Sequence, residues 1–573
     1  MLDVKIVGGS VVDGTGAPRR RADVGIRDGR IVAVGTVDED ATRTVDADGL
    51  VVTPGFVDIH THYDAQAFWD PGLTPSSLHG VTTIVGGNCG FTIAPLESSE
   101  ADFLMRMLAR VEGMPLESLQ AGVPWDWRTF GEYLDRLDGT LAVNAGFLVG
   151  HSAIRRVVMG ESASTDEASA EQLDRMRAML DESLAAGGLG FSSSQAPTHN
   201  DANGIPVPSR FATPEELIAL SRVVRDHAGT TLEFIPAVGG FEDRHVELMT
   251  EMSLAADRPL NWNVLAVNSA RPQGHEVLLE ASDRAAEKGA RVLALTVPDV
   301  MRIHLSFKSG FILDALPGWA ATMALSPEDK LHALSDPAER ARLRDAAASP
   351  EAGMLGALAR WERMTVIDTV APENKAFAGR TIGDIAAEQG KDAFDTIVDI
   401  VIADELNTVV MPPAAGEDDE SWKLRVDVWR DPRAVVGASD AGAHLDMLST
   451  FDFSTAMLQE AVVKRDLLPL EEAVHLITDV QARLYGLRDR GRVAEGWHAD
   501  LVVLDEDRIG PGPVHTRFDL PAGAGRLYAE AEGIEHVLVN GTEIVRGKDL
   551  TGDTPGTLLR SGRDTDTVTA SQH

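Results

Sequence analysis

From Pro54 onward, short apolar runs alternate with amphipathic stretches of helical period, and this rhythm constrains the fold more than any other feature of the chain. Parallel strands cannot be joined by a hairpin, so each needs a crossover, and the intervening helix supplies it. One such helix is announced by Thr213-Pro214-Glu215-Glu216, with Thr213 as N-cap, Pro214 at the first helical position and Glu216 completing a capping box. Leu217 and Leu220 give it a buried stripe, and a strand is expected over 230–235. Leu173, Met176, Leu180 and Leu184 mark another helix, ended by Gly187-Gly188 before a strand at 189–192. Repetition of this unit across about four hundred residues predicts an α/β protein with a (β/α)8 TIM-like barrel.

Both chain ends have a different texture. Short strands are expected at 4–7, 10–13, 22–27 and 31–34, with Asp28-Gly29 as a tight hairpin turn, and Val537-Leu538-Val539 runs into a second such turn at Asn540-Gly541. The expected organisation is a small β-sandwich from 1–53 plus 485–560 and a barrel over 54–484. A helical insertion over the barrel mouth at about 305–432 and a loose tail at 561–573 complete it.

A formal net charge of −37 argues against binding to nucleic acid or an anionic membrane, since both would repel it. Cys89 is the only cysteine, so no internal disulfide forms, and no apolar run approaches bilayer length. A cytoplasmic protein acting on a small molecule is expected, with self-association left open.

The chemistry concentrates in Asp58-Ile59-His60-Thr61-His62, which follows Pro54-Gly55 and reads as the end of the first barrel strand. Side chains two apart on a strand share a face, so His60 and His62 can converge on one metal ion. A His-x-His pair in isolation is equally compatible with two ordinary polar residues.

The run from Gly49 through His62 resembles the first barrel strand of the amidohydrolase superfamily. Gly80-Val81-Thr82-Thr83-Ile84-Val85-Gly86-Gly87-Asn88-Cys89-Gly90, Gly150-His151-Ser152 and Gly188-Leu189-Gly190-Phe191-Ser192-Ser193 are similar to its N-acyl-D-amino-acid deacylase (D-aminoacylase) branch. Leu487-Arg488-Asp489-Arg490-Gly491 and Val537-Leu538-Val539-Asn540-Gly541 extend the likeness over nearly the whole chain. The resemblance implies that His60, His62 and Cys89 are metal ligands and that Asp440 carries the proton of catalysis. Because the histidines that would build a second metal site are missing, a single ion, expected to be zinc, is left to His60, His62 and Asp440 with Cys89 in reach. A metal-bound thiol is deprotonated, which suits Cys89 to the role; a lone cysteine is otherwise most often a small buried apolar residue. Asp440, in Gly437-Ala438-Ser439-Asp440-Ala441-Gly442, can equally cap a helix. His151 and His444 are substrate contacts on this reading, or bond backbone and neighbouring groups.

The resemblance also implies histidines on the fifth and sixth strands, a lysine after the latter and a tyrosine pair on the seventh. Here those strands read Leu232-Glu233-Phe234-Ile235-Pro236 and Leu260-Asn261-Trp262-Asn263-Val264-Leu265, without histidine, and His227, His245 and His275 fall in helices or loops. Glu233 can offer an oxygen ligand or serve as a structural carboxylate. Arg271, His304 and Lys308 can replace the missing anion contact or be solvated. The expected activity is metal-dependent hydrolysis of the C–N bond of a small N-acyl amino acid or related amide. The alternatives are a single-metal or metal-independent barrel enzyme with another reaction (other hydrolysis, decarboxylation or isomerisation), and a catalytically dead binding protein.

Overall fold

In the computed structural model, residues 1–201, 204–310 and 312–572 are described. Parallel strands follow one another in chain order: β1 (Phe56–Asp58), β2 (Val81–Gly86), β3 (Asn144–Phe147, continued by Val149–Gly150), β4 (Gly190–Ser194), β5 (Thr231–Ile235), β6 (Leu260–Leu265), β7 (Val292–Thr296) and β8 (Ala434–Val436). Leu148 interrupts β3, which pairs with β2 on one side and with β4 on the other. Beyond the end of β1, Thr61 makes a parallel bridge to Ala441, so the first strand of the series touches the segment after the last.

The helices between the strands form as their sequences dictate. Thr213 caps the helix Pro214–Val224, accepting a hydrogen bond from Glu216 N–H with Pro214 in the first turn. The capping box does not close, because the Glu216 carboxylate turns away to accept from Arg155 at 2.5–2.6 Å. In the helix Ala170–Ala185, Met176, Leu180 and Leu184 are buried as their spacing requires, while Leu173 is only partly covered.

Both ends of the chain share one sheet, in which Val51–Pro54 pairs with Leu501–Leu504 and the latter with Ile534–Val539. A second sheet of Leu2–Val7, Asp23–Arg27, Arg30–Gly35 and Ala41–Asp46 packs on it through Ile6, Val24, Ile26, Val52, Leu501 and Leu538. Asp28-Gly29 and Asn540-Gly541 turn these hairpins with positive φ at both central residues, +49° and +74°, then +46° and +77°. That is the backbone a two-residue type I′ turn demands.

The insertion has its own core, in which Leu305, Trp319, Leu343, Trp361, Phe394 and Val410 pack together. It is shorter than the sequence suggests. The helix Asp419–Trp429 belongs instead to the main core through Trp422, Val426 and Trp429, because it covers the flank of β8. The expected loose tail also needs correcting for the described residues through 572. Thr565 is buried, bridges Leu487 and donates to the Gly229 carbonyl at 2.7 Å, so backbone and hydroxyl pairing hold the segment in place. Among the described residues no helix is long and apolar enough to cross a membrane.

Candidate metal centre

The candidate site lies at the carboxyl ends of the parallel strands. His60 and His62 stand just beyond β1, held by the Thr61 N–H bond to the Val85 carbonyl (3.0 Å) and the His62 N–H bond to the Ala441 carbonyl (2.7 Å). Their rings lie 5.3 Å apart at 69°. After β2, the Asn88 amide donates to the carbonyls of Thr61 (3.2 Å) and Val85 (2.9 Å), tying the ends of β1 and β2 together. Cys89 is thereby placed with Sγ 3.4 Å from His60 Nε2 and 3.8 Å from His62 Nε2, and all three ligand atoms fall within 4.8 Å of one another.

Asp440 arrives from the turn after β8, its Oδ1 lying 3.0 Å from His62 Nε2 and 3.5 Å from His60 Nε2. Ser439 fixes that turn by donating to Asp58 Oδ2 at 2.5 Å while accepting from Ala441 N–H, which gives the aspartate of the His-x-His motif its role. Gly442, at φ +89°, leaves no room for a side chain, since a Cβ would stand 2.8 Å from the His62 carbonyl carbon. Cys89 and Asp440 also have positive φ, +58° and +59°. Such backbones are unfavourable for residues with a Cβ and persist where surrounding contacts over-determine them.

The donors fit a soft divalent ion. Tetrahedral arms of ~2.0 Å to nitrogen and ~2.3 Å to sulfur place neighbouring donors roughly 3.5 Å apart, close to the separations found. The protein's own groups set up a strong field here. Burial pushes the Cys89 thiol well up, and Glu233, Glu112 and Asp440 add to it. Burial opposes the charge on His62, yet Glu112, Asp440 and Asp64 outweigh it and raise that group to about 10. Burial would raise Asp440, but both histidines hold it well below the usual carboxylate range. Three carboxylates around a thiol and two imidazoles are a field that a cation relieves.

A cavity of about 220 Å³ opens over this cluster. His444 lines it, as the sequence suggested, together with Glu112 and His199, which the sequence did not reveal. Glu112 follows the helix Ala101–Val111 in a loop with no motif, and its carboxylate lies 3.5 Å from His62 Nδ1. Burial is the main reason that His199 falls to about 3, with His444 adding to it, and burial also lowers His444. Glu233 on β5 accepts from the Cys89 N–H at 2.8 Å, and Asn263 on β6 points its amide at Cys89 Sγ, 3.7 Å away.

His151 is not at the cavity. It is fully buried at the start of the helix His151–Met159, with Nδ1 bonded to Ser193 Oγ and Nε2 to Glu216, both at 2.8 Å, and so serves the same ion-pair network that draws Glu216 from its capping box. Nor do the three candidate anion contacts reach it. Arg271 is exposed, His304 bonds the Met447 carbonyl at 3.1 Å, and Lys308 bonds Asn407 at 3.1 Å.

Residues 43–545 match the amidohydrolase family, and the chain belongs to it. Within that family it is 28% identical to the D-aminoacylase of Alcaligenes xylosoxydans xylosoxydans, over 97% of each chain. It is 29% identical to the N-acyl-D-glutamate deacylase of the same organism, over 98% of this chain and 96% of that one. Among solved structures it is similar to N-acyl-D-glutamate deacylase from Bordetella bronchiseptica complexed with zinc and a phosphonate inhibitor, at 25% identity and a TM-score of 0.65, covering 98% of this chain and 100% of that one. The resemblance to the D-aminoacylase branch is thus borne out.

Proposed function

We propose that the chain hydrolyses the C–N bond of a small N-acyl amino acid or related amide, at a single metal ion held by His60, His62, Cys89 and Asp440. The observation that carries this reading is the convergence of two imidazoles and a thiol within 4.8 Å, with Asp440 at 3.0 Å from His62. When bound, a divalent ion such as zinc supplies Lewis-acid polarisation of the acyl carbonyl and lowers the pKa of water.

The chain's own residues do the rest. Asp440 Oδ1 faces both histidines and its side chain is 30% exposed, so it can take a proton from water and hand it to the leaving nitrogen. Glu112, beside His62 Nδ1, holds the proton on that nitrogen and directs the Nε2 lone pair toward Cys89 and Asp440. His444 and His199, kept neutral by burial, can hydrogen-bond the substrate as either donor or acceptor. Trp262 and Phe241 exclude water from one side.

The deacylase activities named for the relatives support this substrate class. The parallel bridge from Thr61 to Ala441 supports a closed (β/α)8 barrel over 54–484 beneath the site, and the sheet shared by both chain ends supports the terminal sandwich. Metal analysis of the purified protein and turnover of an N-acyl amino-acid and amide panel test the reading. Stoichiometric metal lost in His60→Ala is expected, with turnover lost in Asp440→Asn. A metal-free active enzyme, or a fully active Asp440→Asn, contradicts it.

A further inference from the structure

The cavity has two chemically opposed walls. One carries His60, His62, Cys89, Glu112, Asp440, His199 and His444; the other is apolar except for Asn263. Val238, Val264 and Met301, which follow β5, end β6 and follow β7, are 59%, 39% and 38% exposed, and all three lie on this one cavity. Beneath them Phe241 meets Trp262 edge to face, with centroids 4.8 Å apart. Exposed apolar side chains gathered around one mouth mark a surface that an apolar ligand covers.

None of the described residues lining the cavity is lysine or arginine. Arg210, behind His199, is held by the His199 carbonyl (3.1 Å) and the Asn200 side chain (2.6 Å), and Arg110 pairs with Asp314 at 2.8 Å. A carboxylate on the substrate beside the scissile nitrogen would therefore be buried in this cavity with no lysine or arginine among the described lining residues to pair it.

Resting on the amide-hydrolase reading above, we infer that the substrate is an N-acyl amine: an amide with no carboxylate beside the scissile nitrogen and an apolar group reaching the Val238, Val264 and Met301 rim. Water adds its oxygen to the acyl carbon as the C–N bond breaks, releasing a carboxylic acid and an amine. The proton taken by Asp440 goes to the departing nitrogen.

The test compares metal-loaded enzyme on N-acetyl-2-phenylethylamine with N-acetyl-D-phenylalanine and N-acetyl-L-phenylalanine, which differ from it only by the carboxylate. A kcat/KM at least tenfold higher for the amine is expected. Met301→Lys and Val238→Lys place a cation on the exposed rim, and each is expected to shift the ratio at least fivefold toward a carboxylate substrate, mainly through KM. Wild-type preference for either N-acetylphenylalanine, or a ratio that neither lysine moves, overturns the inference and leaves the amide-hydrolase reading intact. Hydrolysis of none of the three by protein with its metal bound overturns that reading, and the inference with it.

Discussion

On the side of the cavity built by β1, β2 and β8, four potential ligands converge, and their backbones are tied directly to one another. Thr61 and Asn88 join the first two strands, while Ser439 and Asp58 join the last to the first. On the side built by β5 and β6 there is no histidine. Glu233 and Asn263 occupy the inward positions, and both address Cys89 rather than presenting a second cluster. The difference teaches that, in the proposed site, the β5 and β6 side supports Cys89 and supplies apolar lining to the cavity. The candidate ligands are concentrated on one side of the cavity.

Replacing His60 or His62 by alanine attacks the richer half most directly. Loss of bound metal and a drop in turnover of more than roughly 10⁴-fold are expected, because Lewis-acid and proton-transfer contributions vanish together. Metal analysis alongside kinetics checks this. Asp440→Asn should lower kcat by roughly 10²–10⁴-fold, with little change in KM. If its metal content falls as far as that of His60→Ala, Asp440 is chiefly a ligand.

Glu112→Gln should weaken metal affinity by roughly 10–100-fold, measured by competition with a chelator, as for partners that orient a liganding histidine. On the poorer half, Glu233→Ala leaves the Cys89 N–H buried without its acceptor and should cost about 1–3 kcal/mol in denaturant unfolding. Turnover within about tenfold of wild type is expected, since Glu233 acts through the Cys89 backbone N–H. A loss as large as that of Asp440→Asn would break the contrast between the two sides.

The smallest effect lies away from the cavity. His79 is fully buried between Thr455 and the Ala529 carbonyl, and burial lowers it to about 4. Between pH 6.5 and 4 the unfolded chain binds a proton there that the folded chain does not, so stability falls as pH falls through that window. The slope is at most about 1.4 kcal/mol per pH unit. Unfolding curves of the metal-free protein should show it, and His79→Gln should flatten it.

Much of this was legible in the chain. Hairpin turns declare themselves because Asp-Gly and Asn-Gly tolerate positive φ, and the helix Pro214–Val224 because its cap and proline are local signals. The convergence of His60 and His62 was expected from strand period, but the strand ends at Asp58 and the two histidines are held beyond it by the Thr61 and His62 N–H bonds to Val85 and Ala441. Glu216 shows the limit: its spacing fits a capping box, but a buried arginine and histidine from another helix outcompete the local backbone. His151 shows the same limit, since a Gly-His at a strand end leaves open whether the ring faces the cavity or, as here, a buried carboxylate.

By itself the sequence determined the alternating architecture, the family and the candidate ligands, because periodicity, turn chemistry and short motifs act over a few residues. Tertiary structure alone decided which of those residues meet. Glu112 reaches His62 across fifty positions, Glu233 serves Cys89 from another strand, and the rim gathers Val238, Val264 and Met301 from three separate strand ends. Closing the chain around one centre fixes such distances, and no local pattern encodes them.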